Sequence, residues 1–443
     1  MLALVIPIAT LLVSVSLLLL GNGLLNTVLV LRARLEGFDE MAIGLIMSCY
    51  FLGYLLGTLA APHMIRRIGH IRAFAFCAAV LSCITLAYLL LPDLLPWMLL
   101  RIVTGMALVS IFTIIESWLN GGTPPESRGR VFALYMMVNL LALALAQQLL
   151  HFGSPAGFEL FAVAAILVTT ALMPMTWTRM VPPLVQDAVR IRVTTLFRRS
   201  PVGMAGALLS GLTMGAFWGM APMFAVDLGF DQGGVATLLS FAIVGGAVFQ
   251  IPLGKYSDRH DRRKVLAAVA FLAGVSGTLL GAAGLMLDGP PYWLWLSAFF
   301  YGGFSFAIYP IAIAHMVDTL NADEVVGGSS SFLMVHGVGS MVGPTLSGAL
   351  MGLWGVVGLP VLFVVCQLLL AGLSLRSLRR RDEAVSVEDQ GHFVPMMRTS
   401  PTVLELHPDQ GETPSEEELE ESAAAELAEA EDTAEEEVRP AAS

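Results

Sequence analysis

The sequence predicts an all-α polytopic membrane protein, with twelve transmembrane helices arranged as two pseudo-symmetric six-helix bundles. Three observations carry the prediction. Hydrophobic residues make up 56% of the 443-residue chain and charged residues 13%, with a mean hydropathy of +0.75, which lies outside the range of soluble domains. Twelve apolar runs are each long enough to cross a hydrocarbon layer, which takes roughly 20 residues per helix. The chain also repeats itself: Gly37-Phe38-Asp39 recurs as Gly229-Phe230-Asp231, and counting on without a gap brings Arg67, Gly69 and Arg72 opposite Arg259, Asp261 and Lys264.

In order, the runs lie near 3–31, 41–62, 73–91, 94–119, 131–150 and 157–177, and then near 202–226, 234–253, 265–287, 292–317, 327–351 and 356–375. The first is long and uninterrupted, with no basic start and no small-x-small cleavage site, so it reads as an uncleaved helix and not as a secretory leader. Residues 1–177 form an N-terminal six-helix bundle, 178–201 a basic linker holding Pro182-Pro183 and Arg198-Arg199, and 202–376 a C-terminal six-helix bundle. Residues 377–443 are an acidic tail. From 382 on it holds 19 of the 35 acidic residues with only Arg398 and Arg439 as basic ones, so it carries −17 while the remainder carries +6. Its Glu/Ala-rich stretch from Thr413 to Glu437 has few large apolar residues to bury, and the tail is expected to be disordered or weakly helical.

An even number of crossings leaves both ends on one side. With the termini inside, inner loops and the segment after the last helix hold 19 basic residues, and the outer loops hold only Arg32 and Arg34. Retention of positive charge in cytoplasmic loops then makes both termini cytoplasmic. Cys49, Cys77, Cys83 and Cys366 all fall in apolar runs without metal-ligand spacing and read as small packing residues.

Between the eighth and ninth runs stands Gly254-Lys-Tyr-Ser-Asp258-Arg259-His-Asp261-Arg262-Arg263. Gly-x-x-x-Asp-Arg-x-(Gly/Asp)-Arg-Arg between an even and an odd helix resembles the signature of the major facilitator superfamily, and twelve helices split six and six add to the likeness. The resemblance covers residues 1 to about 376. It implies a transporter fold in which Gly254, Asp258, Arg259, Asp261, Arg262 and Arg263 form a conformational latch. Gly254 would allow close packing, and Asp258 would accept hydrogen bonds from a neighbouring helix terminus. In the first half Pro62 replaces the glycine, Arg66 the acid, and His70-Ile71 the paired arginines. That turn either sets orientation alone or pairs differently.

Four ionisable residues are proton-coupling candidates. Arg101, in Arg101-Ile-Val-Thr-Gly105, resembles the family's fourth-helix Arg-x-x-x-Gly element; a membrane-buried arginine faces the bundle interior because exposure to lipid is costly. It serves in coupling, or only ties helices together. Glu116 supplies a carboxyl group whose proton affinity burial can raise, or else it anchors a gate. It stands about four helical turns from Arg101, roughly 22 Å along the axis. His315 and Asp318, three apart on one helix face, make a relay or pH sensor, or Asp318 simply caps the helix.

Asn22, Asn26, Trp218 and Gln250 are candidates for a substrate cavity at the interface of the halves, where such transporters bind near the midplane. Asn26 and Trp218 are mates at the 192 offset. Gly105, together with Gly339, Gly343, Pro344 and Gly348 of the eleventh run, fits close helix packing with a proline bend. That run resembles the Gly-x-x-x-Gly-Pro element that antiporters of the superfamily carry in the fifth helix, but here it sits in the pseudo-symmetric partner.

Nothing in the sequence argues for an enzyme, nucleic-acid binding, a metal or a cofactor: there is no phosphate loop, metal-ligand spacing or nucleophile elbow. The expected partners are a small-molecule substrate, protons as the coupling ion and the lipid bilayer, and the expected state is a monomer. Glu116-Ser-Trp-Leu-Asn120 and Pro124-Pro-Glu-Ser-Arg-Gly-Arg130 look like the YcaD-like bacterial subgroup, which implies the inner membrane. The leading expectation is proton-coupled export of a small, partly apolar molecule. Proton-coupled uptake of a small organic nutrient stands beside it, as does a membrane sensor or scaffold acting through the acidic tail.

Overall fold

The computed structural model describes residues 2–121, 123, 127–177, 192–286, 292–321, 324–379, 390, 391 and 393. Twelve long helices account for most of them: α1 Leu2–Leu35, α2 Glu40–Ile68, α3 His70–Leu90, α4 Leu94–Gly121, α5 Arg128–Gln148, α6 Glu159–Thr170, α7 Pro201–Asp227, α8 Gln232–Ser257, α9 Arg262–Leu285, α10 Tyr292–Val317, α11 Val325–Trp354 and α12 Gly358–Ser377. Short helical pieces extend α6 at Leu172–Thr176 and precede α7 at Val193–Arg199. Most of the linker, 178–191, and nearly all of the tail lie outside the described residues.

The repeat is visible in the backbone. Gly37 and Gly229 both adopt φ of 84°, a left-handed conformation open to glycine at little cost. Two residues on, Asp39 and Asp231 cap α2 and α8, accepting from the amides of Ala42 at 2.7 Å and Gly234 at 2.8 Å. The tripeptide is thus a turn that ends one helix and starts the next, used once in each half.

Small residues let the helices approach. A Cβ at Gly53 of α2 would strike the Ile102 main chain of α4, and one at Gly105 would strike the Tyr50 carbonyl; between α8 and α10 the same part is played by Gly245 against the Phe299 carbonyl and Gly302 against the Ala242 carbonyl, while Gly303, the mate of Gly105, meets the Phe249 ring. Gly339 and Gly343 seat α11 on the α7 main chain, while Gly348 lies against the Glu40 carbonyl of α2. Such close backbone contact is what holds helices together where lipid offers no hydrophobic drive between them. Leucines, methionines and phenylalanines such as Leu86, Leu95, Met137, Leu141 and Phe271 stay exposed, as a bilayer-facing perimeter requires. Trp177, Trp293 and Trp354 stand exposed at helix ends, matching an interfacial aromatic belt.

The bundles α1–α6 and α7–α12 are clasped at the end bearing the Gly37 and Gly229 turns, here called distal; α1 starts and α12 finishes at the proximal end. Ser48 and Thr345 hydroxyls lie 2.7 Å apart, the Gln148 amide donates to Ser240 at 2.7 Å, and Arg34 reaches Asp227 at 3.4 Å. Gly44 of α2 abuts Pro344 of α11. Pro344 therefore serves a contact between bundles, whereas Gly339 and Gly343 serve one within a bundle.

Candidate functional site

Between the bundles lies a cavity whose empty space, counting the part open to solvent, is about 1150 Å³. Asn22, Asn26, Trp218 and Gln250 all line it. Gln250, near the end of α8, is thus on the cavity wall. The sequence reading passed over Asn139, Tyr309 and His336, which line it too. A single aromatic or amide on an apolar helix has the same spacing as a core residue, so periodicity does not single it out. His336 was the most legible of them, because an ionisable side chain within a span is costly unless it is used. Its Nδ1 lies 3.2 Å from both Ser210 Oγ and the Ala207 carbonyl, and its ring sits 4.5 Å from that of Tyr309. Trp218 and Phe306 present tilted rings 6.0 Å apart. No Asp, Glu, Lys or Arg is among the described lining residues.

Arg101 is fully buried one layer behind. Its Nη2 donates to Asn26 Oδ1 at 3.2 Å and meets Met47 Sδ at 3.2 Å, and its guanidinium carbon lies 5.6 Å from the Tyr50 ring centre. Among the described residues it has no carboxylate partner, and Nε and Nη1 lack acceptors. Asn26 passes the contact on, donating from Nδ2 to the Trp218 carbonyl at 2.8 Å. A buried cation is thereby wired through one carboxamide to the other bundle.

Glu116 is also fully buried but does not line the cavity; the Tyr135 hydroxyl of α5 donates to its Oε1 at 2.9 Å. Tyr135 precedes the cavity-lining Asn139 by one turn, so residues sharing one helix face lead from the carboxyl to the cavity wall. Sequence reasoning found Glu116 and missed Tyr135, because tertiary pairing across two helices leaves no spacing to read.

His315 and Asp318 lie far from this cavity, at the proximal end. No hydrogen bond joins them. Asp318, just past α10, forms an ion pair with Arg262 at 2.7 Å, and Arg262 also contacts Asp258 at 3.2 Å. Burial pushes the Asp318 carboxyl up to about 6, against the downward pull of Arg262. His315 is buried with its Nε2 unpartnered among the described residues. His315 and Asp318, expected as a pair from their helical spacing, are therefore not bonded to each other, and Asp318 pairs instead with Arg262 at the start of α9. Asp261 caps α9 through the Arg263 amide at 3.0 Å and grips the Arg263 guanidinium at 2.9 Å. Burial raises that carboxyl, but the bonds and charge of Arg263 outweigh it and hold it below the ordinary value. Arg263 donates in turn to the Ser377 carbonyl at 3.1 Å, closing α9 onto α12, and Arg259 is exposed.

The first-half turn is built differently. Gly69, mate of Asp261, takes φ of 80°. His70, mate of Arg262, stacks on Trp118 of α4 with ring centres 5.7 Å apart. A ring stack thus stands where the second half has its Arg262–Asp318 ion pair.

The family profile of the Major Facilitator Superfamily matches residues 11–203 and again 203–404. An uncharacterized MFS-type transporter of Yersinia enterocolitica is 28% identical over 347 residues, spanning 78% of this chain and 89% of the relative. The uncharacterized MFS-type transporter YcaD of Escherichia fergusonii is 26% identical over the same shares. Among solved structures, the nucleoside transporter NupG superposes with a TM-score of 0.66 at 16% identity, covering 84% of this chain and 99% of that one. A bacterial homologue of the human lysosomal transporter Spinster, in an inward-facing, occupied conformation, gives 0.66 at 14% identity over 86% and 97%. At these identities the likeness is one of fold.

Proposed function

Since the chain belongs to the major facilitator superfamily, whose members are secondary transporters working by alternating access, we propose that it exports a small, uncharged, partly apolar molecule in exchange for protons. The observation that carries the substrate class is the cavity lining: carboxamides, hydroxyls and aromatic rings, without a charged side chain among the described residues. A strongly anionic or cationic ligand would lose its hydration there with no opposite charge to replace it.

In this reading residues 1–177 and 202–376 are the two rocking bodies, joined by 178–201. Both termini and the basic turns are cytoplasmic, in a bacterial inner membrane, and the distal clasp is the external gate. The clasped state is then open, or poised to open, toward the cytoplasm. Glu116 takes and gives the proton, with Tyr135 and Asn139 leading to the cavity. Arg101 transmits occupancy through Asn26 to Trp218. His336, on the cavity wall beside Tyr309, contacts the substrate.

Proton-coupled uptake is the second reading. It is favoured by the fold likeness to a D-xylose-proton symporter, with a TM-score of 0.63 at 15% identity. Flux of a panel of uncharged compounds into everted and right-side-out vesicles separates the two. Export predicts accumulation in everted vesicles under an inward-acid gradient, abolished by a protonophore. Accumulation only in right-side-out vesicles would establish uptake, and flux indifferent to the protonophore would overturn proton coupling.

A further inference from the structure

Beyond α12 the chain returns to the bundle. Gln390, Gly391 and Phe393 lie in a groove between the end of α8, the 258–261 turn, the first turn of α9 and the end of α10. The groove floor is charged, because the buried Arg262 bridges Asp258 and Asp318. The tail main chain engages all three groups. The Phe393 amide donates to Asp258 Oδ1 at 2.9 Å, the Gly391 amide donates to Asp318 Oδ1 at 3.1 Å, and Arg262 Nη2 donates to the Gly391 carbonyl. In its satisfied orientation the Gln390 carboxamide donates to the carbonyls of Ser257 at 3.3 Å and His260 at 3.2 Å.

The side chains complete the fit. The Phe393 ring covers Gly254 so closely that a Cβ at Gly254 would collide with it, and the ring packs against the hydrophobic core. Glycine at 254 thus receives an aromatic plug. Hydrogen bonds to ionised groups are the stronger kind, and here a short stretch of main chain makes three of them. Tethering behind α12 keeps the segment at an effective concentration on the order of millimolar, so modest intrinsic affinity is enough.

We propose that Gln390, Gly391 and Phe393 form an internal strap, a peptide ligand carried by the chain itself that clips the α8–α9 turn to the end of α10 and fills the approach to Asp258. A regulatory consequence rests on the transport reading above. With the strap seated, Asp258 is held by Phe393 and not by the first bundle, so the proximal ends stay apart and the distal clasp is favoured. Release of the strap precedes proximal closure.

Hydrogen–deuterium exchange of the full chain in lipid nanodiscs tests both parts. The Gly391 and Phe393 amides are expected to exchange at least about tenfold more slowly than in a free synthetic peptide of the same segment. Phe393→Ala is expected to return Gly391 to the free-peptide rate, while Phe393→Tyr keeps it protected and the α4 amides report that each variant is folded. Free-peptide exchange in the wild type, or protection unchanged in Phe393→Ala, would overturn the strap whatever the protein transports. The Thr345 amide, which donates to Ser48 in the distal clasp at 3.1 Å, reports the coupling. Faster exchange there in Phe393→Ala supports it, and an unchanged rate with the strap released overturns the coupling alone.

Discussion

The Asn26 carboxamide donates to the main-chain carbonyl of Trp218 at 2.8 Å, joining two positions that the internal repeat places 192 residues apart. The same carboxamide accepts from Arg101 at 3.2 Å. One side chain therefore bonds both a buried cation in the first bundle and an acceptor in the second.

Asn26→Ala removes both contacts and leaves Arg101 still less satisfied. The expected cost is about 1–3 kcal/mol, the usual penalty for orphaning a buried polar partner, and it should fall on the clasped state. Thermal unfolding in lipid nanodiscs checks the loss, and a midpoint equal to wild type would contradict it. Arg101→Lys should lower transport, because an ammonium lacks the planar guanidinium whose carbon lies 5.6 Å from the Tyr50 ring centre.

Tyr135 is the hydrogen-bond donor to Glu116 at 2.9 Å. If this carboxyl carries the coupled proton, Tyr135→Phe moves the midpoint of the pH–rate profile while Glu116→Gln flattens the profile. Counterflow, which needs no net proton movement, should survive Glu116→Gln. A wild-type pH profile in both variants would remove Glu116 from the coupling.

Asp318 is raised from an ordinary 3.8 to about 6, by burial first; Arg262 and the Gly391 amide lower it and Asp258 adds a small push upward. A carboxyl with a raised folded pKa binds its proton more tightly when folded. Its contribution is thus complete below about 3.8 and lost as pH climbs through about 6. Two units correspond to about 3 kcal/mol. Wild-type stability should fall across that window by an amount that Asp318→Asn does not show. Equal slopes for the two proteins, measured by unfolding at a series of pH values, would count against the assignment.

Gly343 meets the Leu212 main chain of α7, where an added Cβ has no room. Gly343→Leu should therefore separate α7 from α11 and lower the yield of folded protein. Gly352, with nothing within 4 Å of an added Cβ, should accept Ala without loss. Size-exclusion profiles of the two variants check the contrast.

The fold was legible because lipid forces apolar runs, and because the Gly-Phe-Asp turn carries its own backbone requirement at Gly37 and Gly229. The cavity was half legible. Asn22, Asn26, Trp218 and Gln250 are polar or aromatic exceptions in apolar helices, and all four reach the lining. Tyr309 and Tyr135 gave no comparable sign, since their roles depend on what a different helix places opposite, whereas His336 was marked by being ionisable within a span. His315 and Asp318 were paired by helical spacing, but Asp318 answers to Arg262 across a turn. The contacts of Gln390, Gly391 and Phe393 were the least legible, because a glycine and a phenylalanine in an acidic tail carry no periodicity.

Alternating access is tested most directly by measuring two distances in one protein. Spin labels at Met41 and Leu353 report the distal ends of α2 and α11, and labels at Arg130 and Arg259 report the proximal ends of α5 and α8. Alternating access predicts two populations for each pair, with short distal distances accompanying long proximal ones and the balance reversing together when substrate or pH is changed. A single unchanging distance at both ends would contradict it.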